Sequence, residues 1–259
     1  MTGMIEAVAA AFAAGAVNSV SGGGTLISFP VLLGLGIPSI VANATSTVAL
    51  WPGVLGAMWG YRSELRGARS WAILLVFPCL AGGILGAYLL LKTPPRDFDI
   101  IAPFLVLAAT LLFMGHGLIS RLMKTSSHHE KLDETPGADP LRVTAYVLFQ
   151  FGVSVYGGYF GAGIGILMLA SLGIMGLRNI HRMNGLKSWG AFCTNGVAVL
   201  IFSLARLIDW PLGLAMALGS IAGGYAGARM ARHVGQQVVR RIIIGVGFAA
   251  TISLLIRRP

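Results

Sequence analysis

Eight stretches of this chain run for 17 residues or more with few or no charges: 4–20, 39–60, 70–91, 99–122, 141–158, 181–205, 211–231 and 240–256. A helix that crosses the hydrocarbon of a bilayer needs about 17–25 apolar residues at 1.5 Å each. Inside lipid every backbone N–H and C=O must find a partner within the protein, so only helices and closed barrels span. Uninterrupted apolar runs of this length specify helices. Charged residues make up 11% of the chain, against about 25% in soluble domains. The sequence therefore reads as an all-α polytopic membrane protein with about eight transmembrane helices. No basic leader and cleavage site precede the first run, which is expected to stay as a helix.

Two further apolar segments are too short for a comfortable span. "SGGGTLISFPVLLGLGIP" (21–38) lies between the first and second runs, and "GGYFGAGIGILMLASLGIMG" (157–176) between the fifth and sixth. Each starts with a glycine cluster and continues as a short helix, the pattern of a broken or re-entrant element. The two halves of the chain repeat this order: glycine cluster, short helix, polar patch, long helix, two more spans. "ANATS" (42–46) lies over "MNGLK" (183–187), with Asn43 opposite Asn184 and Ser46 opposite Lys187 at an offset of 141 residues, drifting by a residue or two at the glycines. The charged segment 123–140, with Pro and Gly, divides the chain into a first repeat (1–122), a linker and a second repeat (141–259). Interrupted segments at matching places in two repeats point to the binding site of a secondary transporter.

The net charge of +10 comes from short basic clusters between the apolar runs. No basic amphipathic stripe or aromatic platform accompanies them, so they signal topology and not nucleic-acid binding. If both short segments count as crossings, 13 of the 19 basic residues fall on one side, five on the other, and Lys187 stays inside. If the segments re-enter, the division is 10 against 8. Cytoplasmic loops carry the excess. The bias favours two repeats of inverted topology in a multi-pass inner or plasma membrane protein, with the linker inside and both termini outside.

The glycine clusters, Gly22-Gly23-Gly24-Thr25 and Gly161 to Gly165 with Gly161 and Gly163, turn the backbone and open a helix. The start of a helix offers unpaired N–H groups and partial positive charge to an anion. Close helix packing is the plainer use of such glycines. Among the polar patches, Asn43, Thr45 and Ser46 open one span, while Asn184, Lys187 and Ser188 share one face of its counterpart. An amide, an ammonium and hydroxyls suit an oxyanion. Two readings compete for Lys187: partner of an anion at the midplane, or a stem that snorkels back to the interface past Arg182. For Thr45 and Ser188 the competing use is a bond back to a carbonyl of their own helix.

Other residues invite chemistry less strongly. His116 reads as a packing histidine, and His128 and His129 lie in the linker. Trp51, Trp59, Trp71 and Trp210 read as interfacial anchors. Tyr156 and Tyr159 flank the second glycine cluster as wall or anchor, and Cys79 and Cys193 as small buried hydrophobes. No Asp or Glu falls inside a span, which leaves proton coupling to the substrate, His116 or the tyrosines, or to nothing. It also leaves an intramembrane enzyme without a base. No cofactor or metal motif is present.

The segments "GGGTLISFPVLLGLGIPSIVANATSTVALWPG" (22–53) and "GAGIGILMLASLGIMGLRNIHRMNGLKSWGAFCTN" (161–195) carry a resemblance. In their paired order, the chain resembles the sulfite exporter TauE/SafE family of membrane transporters from about Phe12 to Arg229. The resemblance implies export or exchange of small anions such as sulfite, thiosulfate or sulfoacetate. One departure is Met175-Gly176-Leu177-Arg178 where the family has a proline-containing turn, which leaves the end of the second short helix open.

The combined expectation is an anion transporter working by alternating access, with its site between the repeats. Its partners are a small anion and the lipid bilayer, and a homodimer is compatible with the sequence. A channel-like pore for small solutes and a membrane accessory or biogenesis component are the competing functions.

Overall fold

The computed structural model describes residues 2–20, 22–125, 140–175, 177, 179–230 and 236–256. These form α1 (Thr2–Val20), α2 (Thr25–Gly34), α3 (Ser39–Gly60), α4 (Arg62–Gly67), α5 (Arg69–Lys92), α6 (Pro95–Thr125), α7 (Pro140–Tyr159), α8 (Ile164–Ile174), α9 (Ile180–Leu204), α10 (Trp210–Met230) and α11 (Gln236–Ile256). Eight of them run for 19 to 31 residues. Their ends differ from the eight expected spans by at most four residues. The four-residue differences are at the starts of α6 and α11, and that of α6 has a local cause. α6 starts at Pro95, where a proline ring presets the first helical residue, and Asp97 in its first turn complements the helix dipole. Three helical stretches, Ser39–Gly60, Arg69–Lys92 and Pro95–Gly115, are long and apolar enough to cross a membrane by length and composition. α9 is longer than any of these and falls short in composition, with Lys187 and Asn195 both inside its apolar stretch. The short α4, in the polar link after α3, was not anticipated.

α2 and α8 have 10 and 11 residues, so each reaches only about half of the roughly 30 Å hydrocarbon layer. Both end alike. The Ile37 N–H donates to the Leu32 carbonyl and the Leu177 N–H to the Leu172 carbonyl, each at 3.1 Å. The turn without proline thus closes α8 at Ile174 with the same bond that closes α2.

The two halves interlock. α5 of the first half packs along α7 and α9 of the second, and α10 of the second packs along α1 and α3 of the first. α3 faces α9, and α6 faces α11. Exchanging the halves maps each of these contacts onto another, so the packing follows a pseudo-two-fold. Glycines make the tight crossings possible. A Cβ on Gly15 or Gly223 would strike the backbone of Ser220 or Phe12 across the α1–α10 contact, and one on Gly86 or Gly158 the backbone of Val155 or Gly83 across α5–α7. Without a hydrophobic drive between helices in lipid, such close backbone approach is a main source of association.

Two of the four expected interfacial tryptophans belong to the interior. Trp71 is fully buried, edge-on to Tyr146 at 5.9 Å. Trp51 stacks on Phe192 and donates its indole N–H to the Phe192 carbonyl at 3.2 Å. Both fall on faces that meet another helix, a fact helical position alone does not disclose. Trp59 and Trp210 are exposed. Cys79 and Cys193 are free and buried, as expected. The side chain of His116, and His128 and His129, lie outside the described residues.

Candidate functional site

The starts of the two short helices meet. Gly22, Gly161 and Gly163 take φ of +78°, +79° and +78°, a left-handed turn that a Cβ disfavours. They turn the chain from α1 into α2 and from α7 into α8. A Cβ on Gly22 would lie 3.3 Å from the Gly165 Cα, so the two glycine-led starts are in contact. The glycines divide by use. Gly22, Gly161 and Gly165 border a cavity. Gly23 and Gly24 make room for the Phe113 ring and the Ala14 carbonyl, while Gly163 packs on Ala109.

The cavity measures about 50 Å³ and lies between α1, α2, α3, α9 and the turn into α8. One water needs about 10–15 Å³ on this measure, so the space suits a few waters or one compact ion. Its long walls obey the repeat. Thr47, Leu50 and Val54 on α3 stand where Ser188, Ala191 and Asn195 stand on α9, each pair offset by the 141 residues that relate Asn43 to Asn184. Gly22 and Thr25 correspond to Gly161 and Ile164 at an offset of 139, the drift expected at the glycines.

Lys187 is 6% exposed and lines this cavity. Its stem runs over Gly165, where a Cβ would stand 3.2 Å from the Lys187 Cδ. Among the described residues nothing is bonded to its ammonium. The repeat-mate of Gly165 at the glycine offset is Leu26, fully buried, and that of Lys187 is Ser46, also fully buried. A glycine on one side thus leaves the groove for a long cation, and a leucine on the other leaves none. This accounts for a one-sided charge on a two-fold scaffold.

The whole-chain comparison agrees with the resemblance carried by the motifs. A family model described as Sulfite exporter TauE/SafE matches residues 7–254. The chain belongs to this family. A Haemophilus influenzae protein named "Probable membrane transporter protein" is 28% identical over 250 residues, covering 94% of this chain and 91% of its own. A Sinorhizobium protein named "Probable membrane transporter protein ORF9" is 27% identical, covering 95% of this chain and 90% of its own. The "Probable membrane transporter protein YfcA" of Escherichia coli is 26% identical, covering 95% and 87%. No solved structure matches. The chain is therefore a TauE/SafE-family membrane transporter, and its apolar helices lie in a lipid bilayer.

In this family member the expected site residues separate into wall and frame. Thr25, Lys187 and Ser188 line the cavity; Asn43, Thr45, Ser46 and Asn184 stand outside it. Asn43 donates its amide N–H to the Tyr159 carbonyl at 2.9 Å, tying α3 to α7, while its Oδ1 is buried without a partner. The Thr45 hydroxyl oxygen accepts the Asp209 N–H at 3.1 Å and so anchors the link into α10. Ser46 and Ser28 share a hydrogen bond of 2.6 Å between α3 and α2. Tyr156 donates to the Ala162 carbonyl at 2.6 Å and Tyr159 pairs with Thr93, and neither lines the cavity.

Hydroxyl chemistry at the wall is also paired by the repeat. Thr47 donates to the Asn43 carbonyl and Ser188 to the Asn184 carbonyl, both at 2.9 Å. Their protons are spent on their own helices, and lone pairs remain for the cavity. Ser19 is spent likewise on the Ala16 carbonyl. Free side-chain donors at the wall are Asn18, Thr25, Lys187 and Asn195, for which no hydrogen-bond partner is present among the described residues. The Gly165 N–H in the first turn of α8 joins them, whereas the Ile164 N–H donates to the Gly161 carbonyl at 3.3 Å. Sequence reasoning missed Asn18 and Asn195. Asn195 carried a usable signal, lying two turns beyond Lys187 on the same face. Asn18 did not, because its place follows from how α1 packs.

Proposed function

We propose that this protein transports small anions, sulfur-containing or organic oxyanions such as sulfite, thiosulfate or sulfoacetate, across the cell's inner or plasma membrane by alternating access. One observation carries the reading. A buried lysine with no counter-ion among the described residues lines a small cavity where two glycine-led helix starts meet. A cation in hydrocarbon costs roughly 2.5–3.5 kcal/mol on insertion scales, and an anion removes that penalty. Lys187 supplies the counter-charge. Asn18, Thr25 and Asn195 supply neutral donors, and the starts of α2 and α8 add partial positive charge. Neutral solutes do not need this arrangement, and no described carboxylate lines the cavity to suit a cation.

Eight spans with two short helices, in inverted repeats 1–122 and 141–259, fit the charge bias of the loops. The interlocked packing suggests which bodies move. α1, α2 and α3 travel with α10, and α7, α8 and α9 with α5, since those crossings are the tight ones. The cavity lies on the boundary between these bodies, where rocking opens it to one side or the other.

The test is flux in proteoliposomes for sulfite, thiosulfate, sulfoacetate and a neutral control, with wild type and Lys187→Ala. Saturable anion flux that the substitution abolishes, with insertion retained, is the expected result. Flux of the neutral control without saturation indicates a pore. Absence of any flux in wild type indicates an accessory role. Unchanged anion flux in the variant places the anion at the helix starts alone.

A further inference from the structure

Between anions, the cavity holds the Lys187 side chain with no counter-ion among the described residues. Lys187 is buried over Gly165, and no carboxylate of the described residues reaches it. The polar side chains at the wall, Asn18, Ser19, Thr25, Thr47, Ser188 and Asn195, do not ionise. Ionisable groups on the neighbouring elements are occupied elsewhere or lie outside the wall. Cys79 of α5 accepts from Gln150 and Ser154, and Tyr156 of α7 donates to Ala162. Glu64 of α4 accepts from Ser63. On α9 itself, His181 and Arg182 are at the first turn and Cys193 does not line the cavity.

An unpaired ammonium in a dry interior is costly, and water, an anion or the loss of a proton can relieve it. A transporter that moves anions in net amount must return empty through a state closed to both sides. In that state the anion is gone and water is largely excluded. Proton loss is then the remaining route. A lysine can take it, whereas a guanidinium stays protonated.

Resting on the anion reading above, we propose that Lys187 is also the proton carrier of the transport cycle, so that one proton crosses with each anion. On the loading side the neutral amine takes a proton from water and the resulting ammonium pairs with the anion. On the far side the anion leaves, and the N–H proton passes to water through the open cavity. The amine returns neutral. No other bond changes, and no other group of the protein needs to titrate.

The experiment uses the full chain in liposomes with the membrane potential clamped at zero, a pH dye inside, and thiosulfate, whose charge is constant near neutral pH. In wild type, thiosulfate entry should acidify the lumen by one proton per anion, and an alkaline lumen should increase accumulation. Lys187→Arg keeps a cation that cannot lose its proton, so whatever thiosulfate exchange it retains should be independent of pH. It should give no dye signal, and its net uptake should fall to that of protein-free liposomes. Wild-type thiosulfate uptake with no dye signal overturns the proposal and leaves anion transport standing. Proton-coupled net uptake by the arginine variant overturns it as well. If that variant fails to insert, the wild-type dye measurement alone decides. Absence of binding and flux for every anion in wild type overturns the anion reading itself, and this proposal with it.

Discussion

Replacing Lys187 by methionine should make the empty protein more stable and remove its response to anions. Methionine keeps an unbranched stem to lie on Gly165 and carries no charge. The magnitude follows from what the ammonium lacks. It has no bonded partner among the described residues, is 94% removed from solvent as its 6% exposure implies, and is the eighth residue of α9. A lysine at the middle of a span costs roughly 2.5–3.5 kcal/mol. A small wet cavity reduces that, so the gain should be about 2 kcal/mol, or roughly 4–8 °C in Tm for a chain of this size. Thermal unfolding in detergent, with and without thiosulfate, reads both effects. Saturating anion at about 100 times its Kd should stabilise wild type by about 2.7 kcal/mol and the methionine variant hardly at all. The two curves then change order when anion is added. A methionine variant that melts at or below wild type without anion would refute the reasoning, since the ammonium would then have a stabilising partner. Equal anion stabilisation of both proteins would place the anion away from Lys187.

Asn18→Ala and Asn195→Ala should each raise the KM for transported anion by about tenfold, as expected for losing one hydrogen bond to a charged group, measured as flux against concentration. Ser46→Ala should cost about 1 kcal/mol of stability by removing the Ser46–Ser28 bond and leaving Ser28 with only the Gly24 carbonyl at 3.3 Å, yet change anion KM less than about twofold because Ser46 is outside the cavity. Gly158→Val should prevent stable folding, costing about 3 kcal/mol or more, because its Cβ meets the Gly83 backbone. Gly152→Ala, whose Cβ meets nothing within 4 Å, should be neutral in the same thermal assay.

Much of the architecture was legible because lipid imposes a simple demand. A run such as 70–91 must satisfy its backbone internally and has one way to do so, which is why α5 falls at Arg69–Lys92. The repeat was legible too, since Asn43 and Asn184, each four residues before a wall hydroxyl, preserve a helical register. Lys187 was conspicuous as a cation among apolar residues, and its environment required no structure to be questioned. Which face each helix turns to the cavity was not legible. Asn43, Thr45 and Ser46 have the same composition as a binding patch, and all three are spent holding α3 to α7, to the link into α10, and to α2. Trp71 and Trp59 are alike in sequence and opposite in exposure. Polar groups inside a membrane protein are needed both for substrate and for helix association, and residue type does not distinguish the uses. Periodicity within one helix is local information that the chain carries directly. The meeting of Gly22 with Gly165, the free amides of Asn18 and Asn195, and the groove that admits Lys187 where Leu26 admits nothing arise only when helices far apart in sequence pack together.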